Sequence, residues 1–127
     1  MTDEFVNVRY MVDDVDASVD FYTKHLGFTL LSSAAPAFAD VARGPLRLLL
    51  SGPASSAGRA MPDGRLPEPG GWNRIHLVVD DIASETDRLR AAGLPFRNDI
   101  VVGPGGSQVL FDDPSGNPIE LFQPAAR

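Results

Sequence analysis

One segment of this chain returns later in altered form, and that repeat limits the possible folds more than anything else in the sequence. "VRYMVDDVDASVDFYTKHLGF" begins at Val8, and "IHLVVDDIASETDRLRAAGLPF" begins at Ile75, 67 residues later. At this offset Val12, Asp13 and Asp14 fall on Val79, Asp80 and Asp81. Beyond them Val15, Val19, Tyr22 and Leu26 fall on Ile82, Thr86, Leu89 and Gly93. Positions spaced this way form one stripe of an amphipathic helix. Each copy therefore predicts a strand, a tight acidic turn and a helix. Asp14 and Asp81 stand where a carboxylate caps free N–H groups or opposes the positive end of the helix dipole. Gly27 and Gly93 stand where helices commonly stop.

Three further strands are expected after each helix. In the first copy they run over Phe28–Ser33, Phe38–Ala42 and Leu46–Leu50. In the second they run over Arg97–Val102, Gln108–Phe111 and Ile119–Gln123, with "GPGGS" and "DDPSGNP" as turns. The expected fold is α+β: two tandem βαβββ modules, spanning residues 5–51 and 73–124. Residues 52–72 between them are dense in Gly, Pro, Ser and Ala and read as a linker or flap. A sheet with a helix on one face leaves its other face bare. Two such modules can pair their bare faces, giving a curved mixed sheet around a shared cavity within one domain of residues 1–127.

Composition narrows the function. The 127 residues carry a net charge of -6 and contain no cysteine. Disulfides, thiolate metal sites and thiol nucleophiles are excluded. An acidic surface without a Lys/Arg cluster disfavours nucleic acid and anionic membranes. The acidic start "MTDEFVNVRY" has neither a basic nor an apolar leader region, so the expected location is the cytoplasm.

The pieces "VDDVDASVDFYTKHLGF", "RIHLVVDDI" and "FDDPSGNPIELFQP" together resemble the vicinal oxygen chelate superfamily. That group includes glyoxalases, bleomycin- and fosfomycin-resistance proteins, extradiol dioxygenases and methylmalonyl-CoA epimerase. The resemblance implies a small-molecule partner and a homodimer, and in catalytic members a divalent metal held by the first and last strands of each copy. The corresponding positions here are Asn7, Leu49, Arg74 and Glu120. Only Glu120 is a good ligand: Asn is a weak neutral donor, Leu is none, and Arg is a fixed cation. The expectation is no metal and no cofactor. His76 lies two residues, about 6.6 Å, along the strand from Arg74. It reads either as a polar wall residue or, with Glu120, as part of a displaced metal site.

Strand alternation then predicts the cavity lining. Asn7, Arg9 and Met11 point inward from the first strand, and Arg47, Leu49 and Ser51 from "LRLLLS". Arg74 and His76 do so from "RIHL", and Glu120 and Phe122 from "IELF". Of these, Asn7, Arg9, Arg47, Leu49, Arg74, His76, Glu120 and Phe122 are the candidate site. Three arginines against one carboxylate suit an Arg74–Glu120 ion pair, with the spare cations available to an anion. The leading expectation is a glyoxalase/bleomycin-resistance-like protein that binds an anionic or aromatic metabolite or drug. The alternatives are a metal-dependent lyase, isomerase or dioxygenase, and a partner-binding subunit with a vestigial cavity.

Overall fold

A computed structural model of the chain describes residues 4–126. Its elements are β1 (Val6–Met11), α1 (Val15–His25), β2 (Thr29–Ala34), β3 (Phe38–Arg43) and β4 (Leu46–Ser51), then β5 (Ile75–Val78), α2 (Ile82–Ala91), β6 (Val101–Gly103), β7 (Gly106–Asp112) and β8 (Pro118–Pro124). The repeat is thus a structural one: each copy is βαβββ. The two sheets have the same plan, with orders β1-β4-β3-β2 and β5-β8-β7-β6. In both, the first strand runs parallel to the last and the other pairings are antiparallel. The fold is α+β. The chain divides into two compact units, with the boundary between Pro69 and Gly70. No helix among the described residues is long and apolar enough to cross a membrane.

Both helices begin as their sequences require. Asp14 accepts a hydrogen bond from the Ala17 amide, and Asp81 accepts one from the Ser84 amide, each at 3.0 Å. These carboxylates satisfy amides that have no partner within the helix. The second helix start is also met by Gln123, whose Oε1 accepts from the Ile82 amide at 2.9 Å. Past α1 and α2, Gly27 and Gly93 adopt positive φ of 71° and 83°. Glycine takes this backbone without the Cβ clash that other residues meet.

Each unit has its own core between helix and sheet. In the first, Val15, Tyr22, Leu48, Leu50, Ala39 and Val41 are buried, and α1 lies mainly over β3 and β4. In the second, Ile82, Leu89, Val109, Phe111, Ile119 and Leu121 are buried. Alternation holds in β5, where Ile75 and Leu77 are buried while His76 and Val78 are exposed. It fails for Val6, which shares parity with buried Tyr10 yet is 65% exposed. Val6 is the first residue of β1, opposite Leu46 at the start of β4.

Three boundaries differ from the sequence expectation for local reasons. Phe28 closes the helix instead of opening a strand, since its amide bonds to the Tyr22 carbonyl at 3.2 Å. β6 is shorter than the expected Arg97–Val102. There the Asn98 side chain accepts the Leu110 amide at 2.9 Å, taking the place of a backbone carbonyl and interrupting the ladder. The segment after β4 is locally folded through its first half. Gly52 donates to the Ala37 carbonyl, and Ser55 Oγ donates to the Gly52 carbonyl at 2.6 Å while accepting from the Gly58 amide at 3.2 Å. A Cβ on Gly52 would stand 2.7 Å from the Pro36 carbonyl oxygen, so only glycine fits that approach.

Candidate functional site

The open face of the second sheet gathers four candidate residues. His76 pairs in register with Glu120, and Val78 with Phe122. Strand parity therefore puts His76, Val78, Glu120 and Phe122 on the face opposite the core. Glu120 is the buried one, with its side chain 9% exposed. Arg74, just before β5, donates to Glu120 Oε1 through Nε at 3.0 Å and Nη2 at 2.9 Å. The other carboxylate oxygen, Oε2, faces His76 Nε2 at 3.5 Å. His76 in turn lies against Phe122, with ring centroids 4.8 Å apart and a 36° tilt. A charge pair and an aromatic pair thus share one small surface. The Arg74 hydrogen bonds satisfy an anion that would be costly to bury alone.

The remaining candidates sit in the first unit. Register places Asn7 opposite Arg47, Arg9 opposite Leu49 and Met11 opposite Ser51, all with one parity. Arg9 Nη1 donates to Ser51 Oγ at 2.8 Å, and among the described residues Arg9 makes no ion pair. Arg47 is not a spare cation. Its Nε is 2.8 Å from Asp40 Oδ2, and Ser32 Oγ donates to Asp40 Oδ1 at 2.5 Å. The three-to-one charge balance read from the sequence overlooks Asp40, which stands opposite Leu49 on the same face. The signal was present: in "FADVAR" the parity that puts Ala39 and Val41 on the helix face turns Asp40 to the opposite one.

Burial works against the Asp40 charge, but the Ser32 and Arg47 hydrogen bonds and the guanidinium charge outweigh it, so its pKa lies below the usual 3.8. A carboxylate with a depressed folded-state pKa adds stability above its unfolded value and loses it as pH falls through the folded one. Asp40→Asn is expected to destabilise the fold by about 1–3 kcal/mol at neutral pH. The difference from wild type should shrink below the ordinary carboxylate range. Urea unfolding at a series of pH values measures both effects, and a pH-independent difference would refute the assignment.

The donor set does not fit a divalent cation. Of the four positions that the resemblance implies, Asn7 and Leu49 in the first unit offer one weak donor, and in the second unit Arg74 places a fixed positive charge on the Glu120 carboxylate. Among the described residues, no group of three or more His, Asp or Glu side chains could hold a metal ion. His76 and Glu120 are adjacent, yet among the described residues no third donor accompanies them.

Other features play supporting parts. His25 ends α1 with its ring 5.8 Å from Phe21, a packing position. In "DDPSGN" the buried Asp113 accepts from the Ser115 and Asn117 amides at 2.9 Å each, which closes the turn before β8. Arg97, which the sequence does not single out, bonds Asp112 at 2.6 Å from the edge of the second sheet.

Comparison with known proteins identifies the family. TnmS3, an antibiotic-binding protein from Streptomyces sp. CB03234, is 27% identical with a TM-score of 0.73, covering 98% of each chain. A superfamily member from Sphaerobacter thermophilus DSM 20745 is also 27% identical, with a TM-score of 0.75 over 97% of this chain and 98% of that one. Lactoylglutathione lyase from Agrobacterium tumefaciens, at 24% identity, shares the fold with a TM-score of 0.71 over 96% of this chain and 94% of that one. No curated protein matches. Residues 4–121 match the family described as glyoxalase/bleomycin resistance protein/dioxygenase superfamily. With two βαβββ units and nearly the whole length matched, the chain belongs to this superfamily.

Proposed function

We propose that this protein binds a small aromatic molecule bearing an acidic group, and does so without a metal. The observation that carries the reading is the engagement of Glu120 by Arg74 at 2.9 Å. A guanidinium then stands where metal-dependent relatives would need a ligand. The same surface offers apolar and aromatic area: Val78 is 56% exposed, and His76 and Phe122 form a tilted pair. Such a face suits a flat apolar body, while unused N–H groups of Arg74 suit its acidic substituent. Likeness to an antibiotic-binding protein agrees with a small-molecule ligand.

Equilibrium dialysis with anthracenecarboxylate tests the proposal. Saturable binding is expected in wild type. It should weaken about three- to tenfold in Phe122→Ala, from the loss of one aromatic contact. Absence of saturable binding would reject it. The reading also includes a homodimer, consistent with the exposed Leu30 and Leu31 of β2 and Val101 and Val102 of β6. Light scattering should then give twice the mass of one chain.

The 3.5 Å approach of His76 to Glu120 favours a second reading, proton transfer between a substrate and this pair. Turnover of a hemithioacetal that disappears in both Glu120→Gln and His76→Gln would move the protein into the enzyme class.

A further inference from the structure

We infer that Trp72 is a fixed aromatic wall that selects flat ligands at the Arg74–Glu120 face. The inference rests on the binding function proposed above and goes on to name the residue that sets its selectivity. Trp72 is the only tryptophan in the chain and is 69% exposed. Leaving most of an indole in water forgoes a large hydrophobic gain. Nevertheless one guanidinium lies against the ring, and several hydrogen bonds hold the backbone around it. The Arg97 guanidinium lies 4.8 Å from the Trp72 ring centroid. Its Nε bonds Asp112 at 2.6 Å, its Nη1 donates to the Gly71 carbonyl at 2.9 Å, and its Nη2 donates to the Gly116 carbonyl at 3.1 Å. The buried Asn117 accepts the Gly70 amide at 2.8 Å, and Arg74 Nη1 donates to the Trp72 carbonyl at 3.2 Å.

Register fixes the side of the sheet on which this clamp acts. Asp112 pairs with Pro118 and Leu110 with Glu120, so Asp112 shares the open face with Glu120. Arg97 bridges Asp112 and the indole, which places the indole at the margin of that face. The Arg74 guanidinium spans the same interval, from the Trp72 carbonyl to the Glu120 carboxylate. An exposed ring anchored in advance loses little further freedom when a second ring stacks on it, which is how a rigid aromatic contributes affinity and shape selection.

Because Trp72 is the sole tryptophan, its emission reports on this position alone. The experiment titrates wild type, Trp72→Phe and Trp72→Ala with anthracenecarboxylate and with its fully saturated, non-planar counterpart. Dialysis gives the affinities, emission reports on Trp72, and thermal unfolding confirms that the variants stay folded. The flat acid should quench Trp72. Its affinity should fall about three- to tenfold in Trp72→Ala and less in Trp72→Phe, while the saturated acid binds all three proteins alike. Equal binding of the flat acid by wild type and Trp72→Ala would overturn the wall and leave the proposed function standing. No saturable binding to any of the three proteins would remove both. A Trp72→Ala variant that turns a dimer into monomers without a change in probe affinity would make Trp72 an interface residue and overturn the inference.

Discussion

Replacing Arg74 by alanine is expected to destabilise the protein by about 3 kcal/mol, the lower end of what stranding a buried charge costs. The lower end applies because Arg74 is 28% exposed, whereas its partner Glu120 is 9% exposed. Without the guanidinium, the charge-bearing neighbour left to Glu120 among the described residues is His76 at 3.5 Å. Glu120→Leu should be costly for the mirror reason, though less so, since Arg74 can turn toward water. The double variant Arg74→Met/Glu120→Leu separates burial from attraction. With both charges gone and similar volume retained, its loss should fall well below the sum of the single losses. Urea unfolding of the four proteins gives the coupling. A loss below about 1 kcal/mol for Arg74→Ala would mean that the pair behaves like an exposed surface bridge.

Phe111→Ala is expected to cost about 3–5 kcal/mol, a large share of the 5–15 kcal/mol that holds a domain of this size together. Phe111 is fully buried, pairs with Ile119 in register and stacks on Phe96 with centroids 5.2 Å apart. Its counterpart in the first unit is Val41, which pairs with Leu48 in the same way. The corresponding helix positions reverse the sizes: Tyr22 in α1 and Leu89 in α2, both fully buried. One unit therefore carries its large ring on the helix, and the other carries it on the sheet. Close packing needs the volume but leaves open which side supplies it. Thermal and urea unfolding test this prediction, and a loss near 1 kcal/mol would show that the cavity collapses around the missing ring.

That exchange of volume explains why the repeat is readable only in part. The acidic turn and the apolar stripe recur because a capped amphipathic helix needs them at fixed spacing. Asp14 and Asp81 were therefore legible as caps, and the strand–helix–strand order followed. The sheet residues drifted because each core was filled differently. His76, Glu120 and Phe122 share a face because a period of two leaves little freedom in β5 and β8, and Arg74 just before β5 reaches the same carboxylate. Strand alternation could not foresee Asn98 using its side chain to break β6, because that bond depends on Leu110, twelve residues away. The Asp40–Arg47 bridge joins neighbouring strands, so it shows only when the parity of β3 is taken together with that of β4. Arg97 and its hold on Trp72 were illegible, since they connect the turn before β8 to the segment before β5 through backbone carbonyls that carry no residue signature.

The central claim is that Arg74 and Glu120 close, as an ion pair, the position that a metal would need. Elemental analysis of untagged protein, purified without chelators or metal-affinity resin, tests it most directly. The account predicts no stoichiometric divalent metal, with none retained after incubation with zinc, manganese or nickel followed by dialysis. One tightly held metal per chain would contradict it. That result would make Glu120 and His76 ligands and place metal-dependent catalysis ahead of binding.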